Sequence, residues 1–159
     1  MDYFQGVVTE FLRANRSTFV NTEYLIQLDE APTPLKGRHW YCDALAVNFQ
    51  HSTVYLCEIT YSKTMSALLG RLQAWASHWE GVCASISRDS QLCGTWKFQP
   101  WVFVPQDSTT LLIRKLEVSS TPIRPQSPMP APLITTLESV SPWNYCTWDR
   151  KHELTEERA

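Results

Sequence analysis

The segment from Trp40 to Lys63 constrains the fold more than any other part of the chain, because it reads as two apolar strands joined by a short polar turn. Each predicted strand contains one acid, Asp43 in the first and Glu58 in the second, and both acids have neighbours that favour a buried pleated sheet. A carboxylate in such surroundings must be protonated, hydrogen-bonded, paired with a cation or bound to a metal. Two of them require a common explanation.

Strand alternation predicts how the two acids are placed. Asp43 and Glu58 each share a strand face with a leucine two residues away, and Cys42 and Cys57 are expected to face the other way. If residues 48–53 form the turn, both acids lie towards the open end of the hairpin, the end opposite the turn, and are neighbours. Hard oxygen ligands on adjacent strands predict a site for a divalent cation such as Mg²⁺ or Mn²⁺.

At these residues the sequence resembles the PD-(D/E)XK nuclease superfamily, whose core runs helix, three-stranded meander, helix, strand, with an Asp on the second strand and Glu-x-Lys on the third. The order and spacing of the predicted elements over residues 1–104 agree with that pattern. The chain departs from it at Thr60, which stands where the family has its lysine, and Lys63 is the nearest substitute. The resemblance implies an α/β fold with a restriction-endonuclease-like core, a mixed central sheet flanked by helices, followed here by a Pro-rich extension.

The resemblance also implies a function, the metal-dependent hydrolysis of phosphodiester bonds in nucleic acid, with DNA favoured. Asp43, Glu58 and Lys63 are the expected catalytic residues. The metal ligands would be Asp43, Glu58, the carbonyl of Ile59 and Glu10 of the first helix. For Glu10 the alternative is a solvated acid on a helix flank, and for Lys63 it is a solvated lysine at a helix entrance.

Four further residues are candidates for contacts with nucleic acid. Lys36 and Arg38 lie in a loop that leads into the Asp43 strand, where they could approach a phosphate. Arg71 and Gln73 lie off the apolar stripe of the helix that follows Lys63, and the resemblance implies that polar residues near the start of that helix support the site. Solvated positions without a specific role are the alternative for all four.

Outside residues 40–63 the sequence predicts further helices and strands, and its prolines and glycines mark where they are interrupted. Pro100 indicates an edge or a bulge in the predicted strand at 98–104. Gly81 indicates an end or a kink in the predicted helix at 65–86. Five prolines in 119–132 exclude regular structure there. We expect one domain over 1–148, with 119–132 as a strap, and a charged tail at 149–159. The predicted elements are a helix at 3–14, a strand at 23–28, a helix at 65–86, a strand at 98–104 and a helix at 107–116.

Composition narrows the alternatives. Five cysteines without a C-x-x-C pair argue against a disulfide framework and a thiolate zinc site. His78 and Cys83 fall on different faces of one predicted helix, which excludes a cysteine hydrolase built on them. A net charge of −2 does not favour bulk electrostatic binding to nucleic acid, although a local basic groove is compatible with it.

Targeting signals are also missing from the sequence. The N-terminus lacks a basic region followed by an apolar run, and no stretch approaches the about 20 apolar residues of a membrane span. We therefore expect a cytoplasmic protein with a nucleic-acid partner and no membrane partner. A homodimer or a protein partner is compatible with the sequence.

The competing hypothesis is a nuclease fold that has lost its chemistry and serves as a nucleic-acid-binding or protein-interaction module. The threonine at position 60 and the acidic balance of the chain permit it. Asp43 and Glu58 would then be satisfied by Arg or Lys partners and by backbone N–H groups.

Overall fold

A computed structural model describes residues 2–123 and 127–147, with the side chains of 119–123 left out, so the tail predicted at 149–159 lies outside the described residues. The elements are α1 Tyr3–Arg13, β1 Thr18–Gln27, β2 His39–Asn48, β3 Thr53–Ile59, α2 Ser66–Ser77, α3 Trp79–Ser90, β4 Lys97–Val104, α4 Thr109–Ile123 and β5 Leu133–Thr136. Short 3-10 turns occur at Gln106–Ser108, Glu138–Val140 and Pro142–Asn144.

The five strands form one mixed sheet in the order β1-β2-β3-β4-β5. The first three strands are an antiparallel meander, and β4 and β5 run parallel to β3. The predicted mixed α/β sheet flanked by helices is therefore confirmed. The elements follow the predicted order of helix, meander, helical region and strand.

Two apolar cores cover the two faces of the sheet. On the α1-side core, Val8 and Leu12 of the helix pack with small strand residues such as Ala44 and Ala46. The α2-side core is larger and is built by α2, α3 and α4 around residues such as Trp75. Because both faces are covered, a polar strand residue must find its partners inside the protein.

The first helix and the first strand show why local signals only partly define their bounds. A capping box begins α1, with the Asp2 carboxylate accepting from the Gln5 N–H and the Gln5 side chain accepting from the Asp2 N–H. The strand β1 starts at Thr18, five residues before its predicted start, because it pairs with β2 as far as the Thr18–Asn48 pair. Tertiary pairing thus extends β1 into residues that look like a loop.

The predicted long helix at 65–86 is two helices, which corrects the single-helix prediction. The break lies at His78, whose φ of −125° and ψ of 25° are not helical, and not at Gly81. The two halves pack on different parts of the fold, α2 against α4 and α3 against β1, so the backbone changes direction between them.

The two proline predictions have different outcomes. Pro100 lies in β4, which has neighbours on both sides, but it precedes Trp101, the first β4 residue that pairs with β5. On that side β4 is still an edge at Pro100. The helix α4 continues to Ile123, so the exclusion of regular structure from position 119 onwards was wrong. A proline in the last turn of a helix removes one hydrogen bond and leaves the preceding turns intact.

The segment after α4 returns to the core. The Ser127 hydroxyl donates to the Ala76 carbonyl at 2.7 Å, and Met129 is buried in the α2-side core. Leu137 and Val140 are buried in the α1-side core. Within the described residues, no helix is long and apolar enough to cross a membrane.

Candidate metal centre

The site lies where β2 and β3 separate. Their ladder ends at the Ala44–Cys57 pair, and the Asp43 carboxylate fills the fork beyond it. Its Oδ2 accepts the Ile59 N–H at 2.8 Å, and its Oδ1 accepts the Gln5 side-chain amide at 3.1 Å. A side chain therefore replaces the strand partner that the Ile59 N–H lacks at this end.

A backbone irregularity turns Asp43 into the fork. Cys42 packs in the α2-side core whereas Ala44 packs in the α1-side core, although strict alternation would place them on one face. On β1, the position between the partners of Cys42 and Ala44 is Glu23, whose φ of +53° is left-handed. Such a φ is uncommon for a residue other than glycine and marks a strained position.

This irregularity overturns one expectation. Cys42 and Cys57 were predicted to share a face, but Cys57 packs in the α1-side core, opposite Cys42. The Cys42 thiol lies in the same fork, 3.2 Å from the Ala44 carbonyl and 3.3 Å from the Cys57 carbonyl. Burial raises the pKa of both thiols, so they are protonated at neutral pH.

Glu58 is the second acid, and its side chain is paired with a cation from α2. It is buried, with 6% of the residue exposed. Its Oε1 accepts from Arg71 Nη1 at 2.9 Å, and the same Nη1 donates to the Tyr41 carbonyl of β2. Arg71, predicted as a contact for nucleic acid, thus connects α2 to both strands of the fork.

The electrostatics leave the acid pair short of positive charge. Burial and the negative charge of Asp43 raise the pKa of Glu58 to about 8, with Arg71 opposing both effects. Burial also raises the pKa of Asp43, against the lowering effects of the Ile59 N–H, the Arg71 charge and a hydrogen bond with Glu58. One guanidinium does not offset the desolvation of two interacting carboxylates.

Asp43 and Glu58 are two carboxylates that could hold a partly hydrated Mg²⁺ or Mn²⁺. Such an ion is commonly held by one or two carboxylates, with water and substrate phosphate completing its coordination. The described residues contain no group of three or more His, Cys, Asp or Glu side chains that could hold a metal, so a cage made only of side chains is not available there. A cation binding Glu58 would share its carboxylate with Arg71 or displace the guanidinium.

The structure separates two predicted residues from the acid pair. Glu10 is exposed on α1, and its carboxylate lies 3.7 Å from the Arg13 guanidinium. Gln5, not Glu10, is the α1 residue that reaches Asp43. Lys63 is exposed, and within the described parts of the chain it forms no hydrogen bond or ion pair with either acid.

The other candidates for contacts with nucleic acid are all exposed. Lys36 and Arg38 lie in the loop before β2, where the Arg38 carbonyl accepts the Leu28 N–H. Gln73 lies on α2, two residues beyond Arg71. Their side chains remain available for a partner, and their role remains a prediction.

A concave region lies at the turn end of the hairpin, and neither Asp43 nor Glu58 lines it. It has a volume of about 500 Å³ and contains aromatic residues that pack on one another, with ring centroids 5.0 Å apart for Tyr55 and Trp101 and 5.4 Å apart for Phe11 and Tyr145. Among the described residues, no Asp, Glu, Lys or Arg lines it. The acid pair is therefore better equipped for chemistry.

Comparison with known proteins identifies no relative, because the chain matches no protein-family model, no curated protein and no solved structure. The case for function thus depends on the site itself.

Proposed function

We propose that this protein is a Mg²⁺- or Mn²⁺-dependent phosphodiesterase that hydrolyses nucleic acid on a restriction-endonuclease-like core. The observation that carries the proposal is the Asp43–Glu58 pair, two carboxylates from adjacent strands held together in a buried fork with raised pKa values. Such a pair lowers the stability of the fold, and a bound divalent cation would reduce that loss by neutralising the two charges. Perturbed acids of this kind are concentrated at functional sites.

In this proposal Asp43 and Glu58 hold the metal, and the Ile59 carbonyl is a third oxygen ligand. The bound metal would supply a water of lowered pKa as the nucleophile. Gln5 and the Ile59 N–H orient the Asp43 carboxylate through its two oxygens.

Arg71 is the best-placed cation for the phosphate. Thr60 cannot supply a charge, Lys63 is exposed, and Arg71 already contacts Glu58. With the Glu58 carboxylate holding a metal, the planar Arg71 guanidinium would be free to bind a phosphate through two N–H groups. The helix α2 would then provide the positive charge that the family motif places on the third strand.

A second candidate is an inert interaction module, and one observation favours it. Glu58 Oε1 and both Asp43 oxygens already have partners in Arg71, Gln5 and the Ile59 N–H. The acids are thus satisfied without a metal, as a structural role requires.

A metal titration separates the two candidates. For the phosphodiesterase we expect Mn²⁺ to raise the melting temperature, because an ion that binds only the folded state stabilises it. Asp43→Asn and Glu58→Gln should abolish the shift. Glu10→Gln is the matched control, since it neutralises an exposed acid outside the fork and should keep the full shift. A melting temperature that does not change when Mn²⁺ is added favours the inert module.

A cleavage assay tests the roles of the two cations. Single- and double-stranded DNA and RNA are incubated with Mg²⁺ or Mn²⁺, and Glu58→Gln serves as the inactive reference. Arg71→Ala should lower the cleavage rate roughly 100-fold, the typical effect of losing one preorganised charge. Lys63→Ala should have a smaller effect, and the reverse order would assign the catalytic cation to Lys63.

A further inference from the structure

Three exposed tyrosines lie close in the chain to residues of the site. Tyr3, Tyr41 and Tyr61 are 75%, 56% and 58% exposed. Each lies two residues from a member of the site: Tyr3 from Gln5, Tyr41 from Asp43 and Tyr61 from Ile59. The proposed phosphodiester chemistry uses none of these rings. Single exposed aromatic residues are common, but three close in the chain to one site require an explanation.

Ring contacts join two of the tyrosines into one surface. The Phe4 ring lies 5.3 Å from the Tyr3 ring and 4.9 Å from the Tyr61 ring, measured between centroids. This surface runs from the start of α1 to the segment after β3, next to the residues that bind Asp43. We call Tyr3, Phe4, Tyr41 and Tyr61 the aromatic rim.

The backbone of Tyr41, on β2, is tied to the site through Arg71. Its carbonyl accepts from the Arg71 guanidinium that binds Glu58, and its ring contacts His39 edge-on at 6.3 Å. The rim therefore contains residues from α1, β2 and the segment after β3, all anchored next to the fork.

The guanidinium at the site, Arg71, is already paired with Glu58, and Lys36 and Arg38 are exposed in the loop before β2. Lys63 is exposed two residues after Tyr61, and the Lys115 side chain donates to the Thr64 carbonyl at 3.1 Å. The chain as a whole carries a net charge of −2. Binding to duplex DNA depends mainly on phosphate contacts by many basic residues. Stacking of bases on aromatic rings needs fewer cations, but it requires bases that are not already paired in a duplex.

We propose that the aromatic rim binds single-stranded nucleic acid by stacking its bases, and so places the backbone of an unpaired strand over the Asp43–Glu58 fork. This inference rests on the proposed function for the chemistry that follows binding. The binding step itself depends only on the rim.

Binding is measured by fluorescence anisotropy with a labelled oligonucleotide, offered as a single strand and as a duplex. EDTA is present, so that cleavage does not interfere. We expect the single strand to bind at least about ten-fold more tightly than the duplex, because only unpaired bases can stack on the rings. Single-stranded DNA and RNA of the same sequence are compared.

Variants of the rim test the contacts. Tyr3→Ala, Tyr41→Ala and Tyr61→Ala should each weaken binding about five-fold or more, the range found when a ring that stacks on a base is removed. Tyr61→Trp should retain binding, because it preserves an aromatic surface. Phe19→Ala is the matched control, since Phe19 is 64% exposed and lies on β1 at the turn end.

Each outcome decides between specific statements. Equal binding of duplex and single strand, unchanged affinity in all three alanine variants, or no binding at all overturns the role of the rim. If binding follows the rim but no substrate is cleaved, the rim inference holds and the proposed catalysis fails. If cleavage requires Glu58 but is unchanged in the three tyrosine variants, the proposed catalysis holds and single-stranded nucleic acid is the wrong substrate class.

Discussion

The two ends of the β2–β3 ladder both carry buried polar side chains, but they provide partners for them in different ways. At the turn end, Asn48 and Thr53 are buried and polar, and they are neutral. The Asn48 amide donates to the Thr18 hydroxyl at 3.0 Å and its oxygen accepts the His51 N–H at 2.8 Å, while the Thr53 hydroxyl donates to the His51 carbonyl at 3.1 Å. At the open end, the residues just beyond the last pair are Asp43 and Glu58.

The difference indicates which end has a function beyond folding. Most of the turn-end partners lie within a few residues, and a neutral group with good hydrogen bonds is stable over a wide pH range. The open-end acids draw partners from α1 and α2 and still have raised pKa values. Burying two interacting carboxylates lowers the stability of the fold, and only the open end of the ladder carries this cost. The open end is therefore the candidate functional site.

The largest expected effect is at Glu58. Its pKa is about 8 in the folded protein against an ordinary value of 4.5, so between these two pH values the folded state holds a proton that the unfolded state has released. Stability should therefore fall as pH rises from about 4.5 to about 8. Glu58→Gln should remove most of this fall and raise the free energy of unfolding by up to about 3 kcal/mol at neutral pH.

Urea denaturation at about pH 5 and about pH 8.5 measures this effect. Subtracting the variant from the parent protein cancels the other titrating groups. A Glu58→Gln protein that is less stable at both pH values would mean that the pair stabilises the fold, and the contrast between the two ends would disappear.

At the turn end, replacing a buried polar residue should lower the free energy of unfolding, whereas Glu58→Gln should raise it. Asn48→Ala removes two hydrogen bonds of a buried side chain, so we expect a loss of about 2 kcal/mol. The loss should be equal at low and high pH, because the Asn48 and Thr18 side chains carry no charge and His51 takes part only through its backbone. Asn21→Ala, at an exposed position of β1, is the control and should change stability by less than about 0.5 kcal/mol.

The smallest effect concerns Gln5, which we interpret as a positioning residue for Asp43. Gln5→Ala should lower the free energy of unfolding by about 1 kcal/mol and reduce the stabilisation by Mn²⁺. Because Gln5 also belongs to the α1 capping box, Asp2→Ala is the control that weakens the cap and leaves the Asp43 contact in place. An equal loss of the Mn²⁺ effect in both variants would assign the role of Gln5 to the cap alone.

Local patterns predicted the sheet and the acid pair well, but not the partners of the pair. Period-two alternation and a short turn are short-range features, so they placed Asp43 and Glu58 at one end of a hairpin. The choice between Gln5 and Glu10 depends on how α1 is rotated over the sheet. Two residues on one helix with similar spacing from the apolar stripe are hard to distinguish from the sequence.

The partner of Glu58 could not be read from the local pattern for a similar reason. Lys63 was the nearest positive charge along the chain, whereas Arg71 reaches Glu58 from one turn into α2. The bend at His78 and the packing of α2 against α4 set the position of that helix, and neither is visible in the local pattern.

The sequence by itself determined the order of the elements, the burial of the central strands and the presence of two acids in them, because these depend on the pattern of apolar residues along the chain. Only the tertiary structure decided how the acids are used. The left-handed backbone at Glu23 and the change of face between Cys42 and Ala44 aim Asp43 into the fork, and the packing of α1 and α2 brings Gln5 and Arg71 to it. These features depend on contacts between residues far apart in the chain, so the pattern within one segment does not contain them.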